Sequence, residues 1–244
     1  MKKILIIQSY KDVANAEEER REYLQVLGSH AEITFASSID DSLSWNTPAI
    51  IVTGYDGIIF GGSSDFDFDG GRVPNDPVLA ESRAILERLR PLIAYLLEKD
   101  IPCLGICFGH QLIALAQGGS VQDDLTQNKI GTFAVTLTEA GKRDTFFGLL
   151  PPTFMAQYDH KDSVVLLPQG AVVLGVGERC RNSVLRYGGR CYTMQFHVEF
   201  SDVEMRAEYR SSSERFPSDR PIDEILRPSP EASTILPLFV ERVC

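Results

Sequence analysis

Several things are scarce in this chain, and each scarcity removes a class of protein. No uninterrupted apolar run approaches the roughly 18–20 residues that a membrane-spanning helix requires. Met1-Lys2-Lys3 before Ile4-Leu5-Ile6-Ile7 has the charge of a secretory leader, but the apolar run stops at Gln8, which suits a first strand better. Basic charge is also short: 24 Lys and Arg against 34 Asp and Glu leave a net charge of −10 and a pI near 4.9. Such a surface repels phosphate backbones and anionic lipid, so neither nucleic acid nor a membrane is an expected partner. The five cysteines (103, 107, 180, 191, 244) are odd in number and lack CxxC spacing or histidine-rich neighbours. Neither a disulfide framework nor a zinc site is expected, and a reducing compartment, the cytoplasm, fits. Internal repeats and low-complexity linkers are missing as well.

What is present is ordinary for a globular protein. With 244 residues, 43% of them hydrophobic and 24% charged, the chain suffices for one well-buried α/β domain and is short for a second catalytic one.

Read along the chain, Lys3–Gln8 is a short apolar strand. Glu17–Leu27 has helical spacing up to Gly28, and Ala31–Ala36 alternates like a strand. A loop follows around Trp45 and Pro48. Gly57–Phe60 is a buried strand closed by Gly61-Gly62, and Asn75 or Asp76 before Pro77 caps a helix running to about Glu98. Pro102–Ile106 is the next strand. Strands alternating with helices indicate a parallel sheet covered on both faces, with ligands at the carboxyl ends of its strands. From Gly131 onward, short strands over Thr132–Leu137, Ala171–Val176, Ser183–Tyr187 and Cys191–Phe196 suggest antiparallel pairing. Past Phe200 the chain reads as helical, with a proline-interrupted stretch from Phe216 to Pro230 and a closing helix over about Glu231–Val243.

The chemistry concentrates at Gly105-Ile106-Cys107-Phe108-Gly109-His110-Gln111. A strand ends, small residues allow a sharp turn, and the apolar helix Leu112–Ala116 follows, so a cysteine projects from a strand-to-helix corner. The helix N-terminus favours negative charge on the sulfur, and the thiolate is the nucleophilic form. A proton shuttle is available in Gln195-Phe196-His197-Val198-Glu199, where extended spacing puts His197 and Glu199 on one side. An oxyanion site can come from the Gly62 amide after the strand ending at Phe60, with the Phe108 amide as second donor. His30 and His110 read as structural histidines, and Cys103 as core packing. Gly118-Gly119 reads as a helix stop.

These three segments together resemble the class I, triad-type glutamine amidotransferases, and the similarity runs from about Lys3 to Phe200. It implies a flavodoxin-like, open, mostly parallel sheet with helices on both faces and an antiparallel extension in the C-terminal half. Residues 1–200 would form the amidotransferase-like domain, and 201–244 a helical extension packed on it. Cys107 would attack the γ-amide of glutamine to give a glutamyl thioester, His197 would act as general acid and base, and Glu199 would orient it. Gly61, Gln111, Gly131, Thr132, Phe133 and His160 match positions that grip the substrate in the family. The mechanism calls for no metal and no cofactor.

The chain is most similar to stand-alone members of the group related to the glutaminase of GMP synthase, which implies, as partner, a separate ammonia-accepting synthetase subunit. Two alternatives stay open: a γ-glutamyl peptidase or hydrolase acting on a conjugate, and a catalytically idle regulatory subunit. Departures from the family pattern are Val198 within His-x-Glu, Ser63 after Gly-Gly, and Asp159 and Lys161 beside His160. Asp65-Phe66-Asp67-Phe68-Asp69-Gly70 imitates a calcium loop but follows a strand and reads better as a loop over the pocket mouth, where its acids suit a cationic substrate.

Overall fold

The structure of the protein is a computed structural model that describes residues 1–211 and 220–244. In chain order the first half comprises β1 (Lys2–Gln8), α1 (Val13–Leu27), β2 (Ala31–Ser37), α2 (Pro48–Val52), β3 (Gly57–Phe60), α3 (Pro77–Glu98), β4 (Cys103–Ile106) and α4 (Phe108–Ala116). The second half continues with β5 (Ser120–Asp123), β6 (Lys129–Leu137), α5 (Glu139–Lys142), β7 (Thr153–His160), β8 (Asp162–Leu166), β9 (Val172–Gly177), β10 (Cys180–Tyr187) and β11 (Cys191–Met194). It closes with α6 (Asp202–Ser211), α7 (Ile222–Ile225), α8 (Pro230–Ser233) and α9 (Ile235–Arg242).

The main sheet has nine strands in the order β2-β1-β3-β4-β11-β10-β9-β6-β7. The five from β2 to β11 pair in parallel, and the rest extend the sheet in antiparallel fashion. This is the α/β architecture expected from the sequence. Strand period two divides the core: Ile4 and Ile6 of β1 face Tyr23 and Leu27 of α1 and Phe239 of α9, whereas Leu5 and Ile7 face Leu89 and Ile93 of α3 and Ile113 of α4. Asp76 caps α3 by accepting from the Val78 amide, and Asp12 does the same for α1, which starts earlier than the periodicity predicts.

Some expectations need correcting. The stretch at Pro48 is a short helix begun by that proline, not a loop. Strands β5, β7 and β8 are additional, because Gln157, Asp159 and His160 break the apolar alternation that would have exposed β7 in the sequence. The closing helix is two helices, α8 and α9. Of the Phe216–Pro230 segment, 216–219 lie outside the described residues, and the remainder holds α7. No helix among the described residues is long and apolar enough to cross a membrane.

Candidate active site

Strand order reverses between β1 and β3, since the chain leaves β1 to build β2 on one side and returns to build β3 on the other. Ligands of open α/β sheets bind in the crevice outside such a switch point. A cavity of about 360 Å³ opens there, lined by Tyr10 beyond β1, Ser63 beyond β3, Cys107 beyond β4 and His197 beyond β11.

Cys107 sits at φ 48° and ψ −100°, a left-handed conformation costly for a side chain with a Cβ. Its neighbours hold it there: a Cβ on Gly105 would lie 2.8 Å from the Gly109 carbonyl oxygen, and one on Gly109 would lie 2.2 Å from the Phe60 carbonyl oxygen. The backbone is pinned by the Cys107 amide donating to Met194 at 2.9 Å and the Gly109 amide donating to Gly61 at 3.0 Å. The sulfur is 3.6 Å from the Asp159 carbonyl oxygen and 3.6 Å from Gln195 Nε2.

Opposite it, His197 Nδ1 and Glu199 Oε1 are 2.6 Å apart, and Glu199 Oε2 accepts from the Val198 amide at 2.8 Å. With Nδ1–H donated to the carboxylate, Nε2 remains for the sulfur. Phe200 stacks on the imidazole at 4.2 Å with a 5° interplanar angle. Burial works to lower the His197 pKa, but Glu199 and then Cys107 raise it, and the balance lies well above the ordinary histidine value.

The glycine turn is where expected, with one difference. A Cβ on Gly62 would lie 3.2 Å from His197 Cε1 and 3.9 Å from Cys107 Cβ, so the turn runs between the two. Yet the Gly62 amide donates to Glu19 Oε1 at 3.1 Å, while the Phe108 amide makes no hydrogen bond among the described residues. Glu19, on α1, is buried and also accepts from Gln8 Nε2 at 2.8 Å. Burial, above all, pushes its carboxyl up to about 8.

The residues expected to grip substrate divide. Gln111 and His160 line the cavity, and Gly61 stands behind it with its Cβ position only 2.2 Å from Glu19 Oε1. Gln111 Nε2 is already engaged by the Asp162 carbonyl at 2.8 Å and by Gln195 Oε1 at 3.3 Å. His160 is buried, with Nδ1 3.1 Å from the Asp162 carbonyl oxygen, and burial first and Lys129 second pull it down to about 3, so it is neutral. Gly131, Thr132 and Phe133 are not in the cavity wall. A Cβ on Gly131 would strike Ile225 at 2.9 Å, and Thr132 Oγ1 donates to Gln157 Oε1 at 2.8 Å, so this stretch of β6 packs under the 225–227 segment.

The acidic loop is organised by hydrogen bonding. Asp162 accepts from the amides of Phe68, Asp69 and Gly70 at 2.9, 2.9 and 2.7 Å, and Asp65 accepts from the amides of Lys11 and Asp12. Asp67 pairs with Arg72 at 2.6 Å and faces the cavity beside Phe66. Among the described residues, no group of three or more His, Cys, Asp or Glu side chains is arranged to hold a metal ion.

The family model for glutamine amidotransferase class-I matches residues 37–213. The chain belongs to the class-I glutamine amidotransferase family. Among curated relatives of this amidotransferase is a subunit of glutamine-hydrolyzing GMP synthase from Methanosarcina acetivorans. It is 34% identical over 153 residues, which cover 57% of this chain and 79% of that one. The protein of the same name from Methanocaldococcus jannaschii is 33% identical over 120 residues, covering 49% of this chain and 62% of that one. In fold, the amidotransferase is similar to a glutamine amidotransferase of Thermotoga maritima at a TM-score of 0.69, with 22% identity over 99% of this chain and 97% of that one. A glutamine amido transferase of Methylobacillus flagellatus is similar at a TM-score of 0.66, with 20% identity over 100% and 92% of the two chains.

Sequence reasoning overlooked Gln195, whose amide touches the sulfur, and the α1 carboxylates Glu19 and Glu22. A signal existed for the latter: 19, 22, 23, 26 and 27 share the core-facing stripe of α1, and two of the five are glutamates.

Proposed function

We propose that this amidotransferase hydrolyses the γ-amide of glutamine or of a γ-glutamyl compound. The observation that carries the reading is the strained Cys107 elbow facing a His197 whose Nδ1 is held by Glu199 at 2.6 Å. Cys107 Sγ forms a bond to the γ-carbonyl carbon. The oxygen takes the developing negative charge at the Phe108 amide and, once Glu19 lets go, at the Gly62 amide. His197 delivers its proton to the departing nitrogen as the C–N bond breaks, leaving a glutamyl thioester and ammonia or an amine. A water molecule, deprotonated by His197, attacks the thioester, and glutamate leaves as the sulfur regains its charge. Glu199 keeps the imidazole in the tautomer that presents Nε2 to the sulfur.

The relatives named as subunits of GMP synthase support delivery of the ammonia to a separate synthetase subunit. An idle regulatory role is disfavoured, because an inactive chain gains nothing from the strain at Cys107. The test is glutamate release by the purified protein from glutamine and from γ-glutamyl peptides and amines, with Cys107→Ala as control. Release that disappears in the variant supports the reading. Equal release by both proteins overturns the nucleophile.

A further inference from the structure

Two helices wall the cavity away from the β-strand ends, and both turn acid toward it. From α1 come Glu18, Glu19 and Glu22, at the spacing of one helix face, and from α6 come Glu204 and Glu208, one turn apart. All five line the same cavity as Cys107 and His197. Like charges so concentrated repel one another unless something compensates them, and the single lysine of the lining, Lys161, lies 3.7 Å from Asp67 on the opposite loop.

Two of the five have structural employment. Glu19 accepts from Gln8 and Gly62, and Glu204 Oε2 accepts from the Ser201 amide at 2.6 Å at the start of α6. Glu22 differs. Its residue is only 6% exposed, it lines the cavity, and its carboxylate makes no hydrogen bond or ion pair among the described residues. A buried, unpartnered carboxylate is costly, and a glutamine or an apolar side chain at this position would cost less. Burial first, then Glu199 and Glu204, push its carboxyl up to about 9, and a cation alongside would oppose that shift.

We propose that the Glu22 wall receives an ammonium group carried by the leaving group of the substrate, so that the preferred substrate class is the γ-glutamyl amide of a diamine or polyamine. The glutamyl part lies at Cys107 and the distal cation at Glu22, with Glu18 and Glu204 adding to the potential. This rests on the reading of Cys107 as the nucleophile toward a γ-glutamyl amide. The α-ammonium of the glutamyl group offers the same chemistry, and the test separates the two.

Three substrates distinguish them: glutamine, γ-glutamyl-n-butylamide and γ-glutamyl-1,4-diaminobutane. All three carry the α-ammonium, and only the last carries a second cation. The expected result is a kcat/KM for the diamine conjugate at least about tenfold above that for the butylamide. Glu22→Gln should cut this ratio severalfold, and raising the salt to about 0.5 M should narrow it. A wild-type ratio near one, or a Glu22→Gln loss equal for all three substrates, overturns the proposal and assigns the wall to the α-ammonium or to structure. If none is turned over, calorimetry with Cys107→Ala decides. Tighter binding of the diamine conjugate than of the butylamide sustains the cation site while the catalytic reading fails, and equal or absent binding overturns the cation site.

Discussion

Glu19 Oε1 accepts a hydrogen bond from the Gly62 amide at 3.1 Å, so one of the two donors that would meet a developing oxyanion is occupied by a carboxylate of the first helix. The Phe108 amide, at the start of α4, is the free one among the described residues.

Charge on Glu19 should therefore compete with catalysis. A carboxyl pushed up to about 8 is protonated below that pH and ionised above it, and the ionised form holds an N–H about twice as strongly. The wild-type kcat is expected to fall above pH 8, and Glu19→Gln to lack that part of the decline. Rate profiles over pH 6–10 check this, and superimposable profiles would reject it.

Glu199→Gln should lower kcat by roughly 10²–10⁴-fold while leaving the fold intact, because an amide no longer enforces the tautomer or stabilises the imidazolium. Glu199 is also the main influence raising the His197 pKa. With the folded value above the unfolded one, the stabilising coupling is complete below the ordinary histidine range and is lost as pH rises through the folded value. Titration of the His197 ring signals by NMR should show a downward shift in the variant, and an unmoved titration would contradict the assignment.

Gly109→Ala should destabilise the protein by about 1–3 kcal/mol or more and abolish activity together. The new Cβ would meet the Phe60 carbonyl oxygen at 2.2 Å, and backbone cannot step aside as a flexible side chain does. Urea unfolding measures the loss. Wild-type stability would mean that the elbow is looser than its geometry indicates.

Asp162→Ala should leave the amides of Phe68, Asp69 and Gly70 without their acceptor, costing about 1–3 kcal/mol for each amide that water does not reach. Since Phe66 and Asp67 form part of the cavity wall, KM should rise more than kcat falls. Steady-state kinetics with glutamine separate the two, and a pure kcat effect would place Asp162 nearer the chemistry than the loop.

Much of the site is legible in order along the chain because its signals are local. Gly105, Cys107 and Gly109 encode their own turn, and His197 and Glu199 their own pairing, so short-range sterics and spacing suffice. The alternation of strand and helix up to Ala116 likewise reports a sheet buried on both faces. Beyond Gly131 the signal weakens: β7 carries Gln157, Asp159 and His160 among its apolar residues, because one end of that strand packs the core while the other lines the cavity.

Local backbone preference and side-chain periodicity were enough to specify the nucleophile elbow, the His197–Glu199 spacing and the parallel half of the sheet. It took the folded arrangement to bring Glu19 to Gly62 across 43 positions, to set Asp162 under the loop at 68–70, and to turn Gly131–Phe133 away beneath Ile225. The order in which strands join the sheet brings such groups together, and that order follows from burying two apolar faces at once, which no local pattern encodes.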